Sequence, residues 1–172
     1  MPRPIHRMPT EASSATPLEI AMHRAATLTP DERREVLAPS QAAFDAFRRG
    51  MGTDAHWARL VDAINVGLEL TRRQIASDHG PTFDAAGQAL TAAFQRHQAT
   101  GSWTLRGPEI AALDDALFIH QIQLDHASRG ELGAAVTRVI NRTRAALQGN
   151  AGPGTTVCVP ALRPHQASQP QH

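Results

Sequence analysis

The sequence predicts an all-α protein, a single bundle of five to six helices with a disordered tail at each end. Apolar residues recur at helical spacing in successive segments between residues 16 and 148. Several of these segments open with a capping residue followed by proline or glutamate, a combination typical of helix N-termini. The 172 residues suffice for one domain that buries roughly 70% of its unfolded surface, so we expect a single core.

Two segments outside this pattern are expected to be disordered. Residues 1–15 are rich in proline, serine and threonine and carry no apolar periodicity. Residues 149–172 are rich in glycine, proline and glutamine and also lack a periodic face. The bundle is therefore assigned to residues 16–148.

A repeated signature begins the first two helices. Residues 16–19 (Thr-Pro-Leu-Glu) and 29–32 (Thr-Pro-Asp-Glu) each combine a capping hydroxyl, a proline in the first turn and a glutamate that completes a capping box. The first helix is short, and the second continues to Gly50 or Gly52. Pro39 removes a backbone donor within the second helix, which predicts a kink or a break there. The inward positions are Leu18, Met22 and Ala25, then Val36, Leu37, Phe44, Phe47 and Met51.

The third helix is the longest predicted element, and a fourth helix follows it. The third spans residues 54–77 and ends at Gly80 and Pro81, and the fourth runs from residue 82 or 83 to 98 and is closed by Gly101. A non-helical link, residues 102–106, follows and contains Trp103. The inward residues are Trp57, Leu60, Val61, Ile64, Leu68 and Ile75, then Phe83, Leu90, Phe94 and His97.

Residues 108–127 are predicted to form the central, buried helix of the bundle, because a helix that contains the run 116–119 is apolar on nearly all sides. A capping box at residues 128–131 favours a turn after this helix, although one long helix that tolerates Gly130 is the alternative. The last helix covers residues 131–148. Its predicted inward residues are Leu132, Val136, Val139, Ile140 and Leu147.

Charge and composition exclude several classes of protein. The net charge is +1, and all 17 basic residues are arginine, so no global field favours nucleic acid or membranes. The only basic region is residues 127–172, with five arginines against one acid. A single cysteine, Cys158, excludes a disulfide framework. The proline-rich start lacks the apolar core of a signal peptide and no segment is apolar enough to span a membrane, so we expect a cytoplasmic protein.

Arginines on the last helix are the main candidates for binding. Arg138 and Arg142 lie one turn apart, with Arg129 and Arg144 close by, and together they form a candidate face for phosphates or an acidic partner. The alternative is a solvated helix face. Trp103 is a further candidate, either as an interface anchor or as a residue that closes one end of the bundle.

No constellation of catalytic residues is present. His120 is in register with the apolar face of its helix, whereas His126 points elsewhere, so the two are not placed to hold one ion. No paired-cysteine or His-Glu metal motif occurs, and Cys158 has no assignable base. We therefore expect no cofactor, no metal and no enzymatic activity. A metal-dependent enzyme built on His120 with Asp114, Asp115 or Asp125 is kept as an alternative.

The chain resembles small helical proteins of proteobacterial phages and other mobile elements, some of them labelled Fis-type regulators. The resemblance lies in the residues from Thr16 through LTPDERREVLAPSQAAFDAFRRG, in the long helix after them and in the run QLDHASRGEL. The resemblance implies an accessory protein that docks on host or phage machinery, including as an inhibitor of host defence. Residues 140–143 are similar to the start of a Fis-type recognition helix, although residues 137–139 continue the helical stripe where a turn should precede it.

Three hypotheses follow. The first is a non-enzymatic module that binds another macromolecule, in particular a protein, through an exposed helix face. The second is a nucleic-acid-binding regulator that uses Arg129, Arg138, Arg142 and Arg144. The third is the metal-dependent enzyme. The sequence leaves the oligomeric state open.

Overall fold

The computed structural model describes residues 16–148, which form six α-helices and one short 3-10 helix. The all-α class and the number of helices are as predicted. The two predicted tails, together with Cys158, lie outside the described residues. The helices are α1 (Pro17–Ala25), α2 (Pro30–Arg48), α3 (Asp54–Arg72), α4 (Gly80–Thr100), α5 (Gly107–His126) and α6 (Arg129–Leu147), with the 3-10 helix at Ser77–His79.

Capping boxes set three of the helix starts, as predicted. The hydroxyl groups of Thr16, Thr29 and Ser128 accept a hydrogen bond from the glutamate amide three residues on, and each glutamate accepts from the capping amide in return. The box at Ser128 separates α5 from α6. The predicted turn is therefore present, and the alternative of one long helix is excluded.

The central helix of the bundle is α3, because it packs against α2, α4, α5 and α6. The prediction that the helix of residues 108–127, here α5, is the central helix is wrong. Successive residues of a helix point about 100° apart, so the apolar run 116–119 spreads around α5. Ala116 is fully buried, but the Phe118 side chain is 63% exposed.

The junction between α3 and α4 differs from the prediction. The third helix ends at Arg72, five residues early, since Gln74 and Ala76 adopt left-handed backbone angles with φ of 67° and 52°. Gly80 and Pro81 then begin α4 rather than end α3, in agreement with the preference for proline in the first helical turn.

Of the kink or break that Pro39 predicts, the break does not occur, because α2 runs continuously through this residue. Pro39 lies on the exposed side of the helix, and the next residue, Ser40, donates its hydroxyl proton to the carbonyl of Leu37 at 2.9 Å. Helices tolerate a lost backbone bond best where water can reach the free carbonyl.

Aromatic side chains close the end of the bundle at the N-terminus of α3. The ring of Trp103 stacks on His97 at 4.1 Å and on Trp57 at 5.8 Å between ring centroids. Both indole N–H groups have acceptors, Trp57 to the carbonyl of Leu90 at 3.0 Å and Trp103 to the carboxylate of Asp54. We call this group the aromatic end.

Close approach between α3 and α4 depends on Gly67. A Cβ atom at this position would lie 2.2 Å from Cε1 of the buried Phe83. Any larger residue here would push the two helices apart, since a buried ring has no room to retreat.

Candidate functional site

Glu69, in the last turn of α3, is the most unusual buried residue of the protein. Its side chain is 1% exposed, yet it carries a carboxylate. A buried carboxylate is costly unless cations and hydrogen bonds compensate it. Four arginine side chains lie within ion-pair distance of it, two from its own helix end and two from α6, and we call this group the arginine cluster. The distances to the nearer carboxylate oxygen are 3.7 Å for Arg72, 3.8 Å for Arg73, 3.1 Å for Arg138 and 2.6 Å for Arg142.

The arginine cluster holds more positive charge than Glu69 neutralises. Arg142 makes a hydrogen bond to Oε2, and the Nε atom of Arg138 approaches Oε1. Arg72 and Arg73 stand farther off. The Nε atom of Arg73 is buried and has no hydrogen-bond partner within residues 16–148. Four cations therefore share one anion, and one of the donors is left over.

The ion pairs with Glu69 also fix the rotation of α6 about its own axis. The residues turned toward α3 are Ala135, Arg138, Val139 and Arg142, which repeat at helical spacing. The prediction that Val136, Ile140 and Leu147 face inward is wrong, because this rotation leaves all three exposed. Leaving Glu69 unpaired would lower the free energy of unfolding by about 3–5 kcal/mol. Exposing one or two aliphatic side chains lowers it by a similar amount, so the ion pairs can offset the exposure of these residues.

A buried amide holds the end of α3 in place beneath the arginine cluster. Gln123 of α5 is fully buried, and its Nε2 lies 3.0 Å from the carbonyl of Gly67, 2.8 Å from the hydroxyl of Thr71 and 3.1 Å from the carbonyl of Ile75. The Nδ1 atom of His120 lies 3.4 Å from the other amide atom, Oε1. These contacts position the turn that carries Arg72 and Arg73.

His120 faces the core, as predicted. Burial lowers its pKa to about 4, and the hydrogen bond with Gln123 opposes that shift only in part. The imidazole is consequently neutral near pH 7. His126, in contrast, is exposed at the end of α5.

A cleft opens beside the arginine cluster, between α1, the end of α3 and α6. Its volume is about 490 Å³. Among residues 16–148, the lining combines three cationic side chains with small and neutral residues and contains no carboxylate. The lining residues are Arg24, Arg73, Gly133, Ala134, Thr137, Arg138 and Asn141.

Exposed large apolar residues are concentrated on α1 and α6. Within residues 16–148, nine such side chains are exposed, and six of them belong to these two helices. α1 has no buried residue at all, so the expected inward face of Leu18 and Met22 is directed to solvent. We call the six residues the α1–α6 surface: Leu18, Ile20, Met22, Val136, Ile140 and Leu147.

The five residues proposed from sequence do not form one site. Arg138 and Arg142 belong to the arginine cluster, but Arg129 forms two hydrogen bonds with Glu32, at 2.9 and 2.7 Å. That pairing is the main reason that the pKa of Glu32 falls to about 2. Arg129 thus joins the start of α6 to α2.

The other two proposed residues lie elsewhere. Arg144 is exposed on α6, outside the lining of the cleft. Trp103 is buried in the aromatic end, so it has the second of its two expected roles, closing one end of the bundle.

The structure contradicts the helix-turn-helix reading of residues 140–143. These residues lie in the interior of α6, which is helical without interruption from Arg129 to Leu147. A recognition helix would need a turn directly before it. Arg138 and Arg142 of α6 are instead paired with Glu69 of α3.

Sequence reasoning did not select Glu69, Arg24, Arg72 or Arg73 as candidates for a site. A carboxylate between Leu68 and Leu70, near the end of an apolar stripe, was the available signal. Its partners on α6 lie about 70 positions away in sequence, and Arg142 is separated from Glu69 by 73 positions. No local pattern connects residues so far apart.

The alternative metal site is not assembled in the described part of the chain. Among residues 16–148, no group of three histidine, cysteine, aspartate or glutamate residues is placed to hold an ion. Asp114 and Asp115 are exposed, and Asp125 pairs with Arg33 at 3.0 Å rather than with His120.

None of the helices between residues 16 and 148 combines the length and the apolar character that crossing a membrane requires. Comparisons with protein-family models, with curated proteins and with solved structures found no match to the chain.

Proposed function

We propose that this protein is a non-enzymatic interaction module that binds a protein partner through the α1–α6 surface. The observation that carries the proposal is the concentration of exposed large apolar side chains on these two helices, six of nine within residues 16–148. Clusters of exposed apolar residues mark interaction sites more often than single ones do. No cofactor or metal enters this proposal.

The mode of attachment of α1 supports a binding role. A helix of nine residues is marginal in water without packing, and α1 is tied to the bundle mainly at its C-terminal end. There the amide of Arg129 donates to the carbonyl of Ala26 at 2.9 Å, and Thr27 bridges to Ser128. Gly130 permits this approach, since a Cβ atom there would lie 3.1 Å from the carbonyl oxygen of Arg24. The rest of α1 presents its apolar residues outward.

Charge indicates the kind of partner. α6 carries four arginines against the single carboxylate of Glu131. Arg129 pairs with Glu32, and Arg138 and Arg142 pair with Glu69. The exposed Arg144 is therefore the arginine of α6 that favours a carboxylate at the edge of the partner's apolar face. The resemblance to mobile-element accessory proteins supports a partner within host or phage machinery.

Matched aspartate variants test the proposal. Met22→Asp places a charge in the α1–α6 surface, and Phe118→Asp places one at an equally exposed apolar residue on α5, with exposures of 66% and 63% in the native chain. The tagged wild type and both variants are used to capture proteins from host cells, and the captured protein is then purified and titrated. We expect the partner to bind wild type and Phe118→Asp alike and to lose at least tenfold in affinity for Met22→Asp, about 1.4 kcal/mol.

Two results would contradict the proposal. One is a partner that binds Met22→Asp as tightly as it binds wild type. The other is a wild-type protein that self-associates in light scattering while Met22→Asp is monomeric, because the surface would then pair two copies of this chain.

A further inference from the structure

We propose that the cleft beside the arginine cluster binds a multiply charged phosphate anion of the pyrophosphate class, either free or as the phosphate chain of a nucleotide. This site is separate from the protein partner proposed above and does not depend on it. The inference rests on the surplus of positive charge, on an unpaired buried donor and on the lining of the cleft.

The surplus charge can be counted. Arg24 at the cleft and the four arginines of the arginine cluster face two carboxylates, Glu69 and Glu131. The carboxylate of Glu131 is already held by the amide and hydroxyl of Ser128. Within residues 16–148, five cations against two anions leave a surplus of three, and three of the five arginines, Arg24, Arg73 and Arg138, line the cleft itself. Each phosphate group carries a charge of about −1.5 to −2 near neutral pH, so two linked phosphates match that surplus.

The donors at the cleft suit phosphate oxygens. Arg73 lines the cleft, and its buried Nε–H has no hydrogen-bond acceptor within residues 16–148, since the nearest carboxylate oxygen, Oε1 of Glu69, lies at the ion-pair distance of 3.8 Å. Arg138 and Arg24 offer further guanidinium groups from the opposite helices, and Asn141 offers its amide. Guanidinium groups bind phosphate oxygens in pairs, and Arg138 is 57% exposed, so its remaining N–H groups are within reach of a ligand.

The shape of the cleft favours a small anion. Its volume of about 490 Å³ lies within the range of ligand pockets, ~300–1,000 Å³. Gly133 and Ala134, neither of which has a bulky side chain, are among the lining residues. Among residues 16–148, no aromatic residue lines the cleft, so this part of the chain offers no surface on which a nucleobase would stack. Recognition is therefore directed at the phosphate groups.

The experiment is a calorimetric titration of the whole chain with pyrophosphate at constant ionic strength, so that general screening stays fixed. We expect saturable binding to wild type and at least about a tenfold loss for Arg73→Gln and for Arg138→Gln, since each removes charge-assisted hydrogen bonds. The matched control is Arg144→Gln, an exposed arginine of α6 outside the cleft, which should bind within about twofold of wild type. ATP and GTP should bind equally well, because the base is not contacted.

Any of three results overturns the proposal: no saturable heat at millimolar pyrophosphate, equal affinity of wild type and Arg73→Gln, or binding of a DNA duplex under conditions in which pyrophosphate does not bind. The last result assigns the arginines to a nucleic-acid backbone instead. Circular dichroism establishes that each variant is folded, and Arg73→Gln provides the test if Arg138→Gln is not.

Discussion

The two ends of α3 solve the problem of a buried polar group in opposite ways. At the aromatic end, Trp57 and Trp103 stack, and each indole N–H has one acceptor within the fold. At the other end, Glu69 is surrounded by four arginines and leaves a donor of Arg73 unpaired. Each end also holds a buried nitrogen without a hydrogen-bond partner within residues 16–148, Nδ1 of His97 at the aromatic end and Nε of Arg73 at the other, but the second lies among excess positive charge that an anion would balance. This contrast supports the proposed anion site at the C-terminal end of α3.

The largest effect is expected at the aromatic end. Trp57→Ala should lower the free energy of unfolding by about 3–5 kcal/mol, because it removes a large ring from a packed core. Phe118→Ala, which truncates an exposed ring, should change it by less than about 0.5 kcal/mol. Urea denaturation measures both. Equal losses for the two variants would show that the aromatic end is not the rigid closure described above.

Acid should destabilise the protein through His120. Its pKa is about 4 in the folded chain against an ordinary value of 6.5, so below pH 6.5 the unfolded chain takes up a proton that the folded chain refuses. Stability is therefore full above pH 6.5 and declines as the pH falls toward 4. We expect a loss of about 2–3 kcal/mol between pH 7 and pH 4.5. His120→Gln should show a much smaller loss over the same range in urea denaturation, and an unchanged loss would place the titrating group elsewhere.

Salt should distinguish the two ends of α3. Glu69→Gln removes the anion that four arginines share and should cost about 1–3 kcal/mol at low salt. Part of that cost should disappear when NaCl rises from about 0.05 to 0.5 M, because salt screens repulsion among the arginines. The loss in the free energy of unfolding caused by Trp57→Ala should not depend on the salt concentration. A deficit of Glu69→Gln that is equally insensitive to salt would mean that charge repulsion is not its cause.

The smallest effect on stability is expected at α1. Leu18→Ser and Met22→Ser alter only exposed side chains, so the free energy of unfolding should change by less than about 0.5 kcal/mol. Thermal unfolding measures this change. A loss above 1 kcal/mol would show that α1 is packed rather than available to a partner.

Local features of the sequence were sufficient for most of the fold. The capping boxes at Thr16, Thr29 and Ser128 and the buried face of Trp57 and His120 depend on residues a few positions apart, and all are present in the structure. The end of α3 was misjudged because non-glycine residues, Gln74 and Ala76, adopt left-handed angles there. Such angles are rare for glutamine and alanine, so the apolar periodicity of the third helix did not predict an end at this point.

The candidate site was predicted only in part. Arg138 and Arg142 were selected because they lie one turn apart, but the sequence gave no indication that they point at Glu69. Apolar periodicity predicted that Ile140 is buried, and the ion pairs turned α6 the other way. The contribution of Arg24 depends on where α1 lies against α6, and this follows from tertiary packing alone.

The claim that the arginine cluster is an incomplete site is tested most directly by thermal unfolding with and without pyrophosphate at constant ionic strength. With pyrophosphate at roughly 100 times its dissociation constant, the melting temperature of wild type should rise by about 5 °C or more, because the ligand binds only the folded chain. Arg73→Gln should show little or no rise at the same concentration. A wild-type melting temperature that does not move, or an equal rise in Arg73→Gln, would contradict the claim.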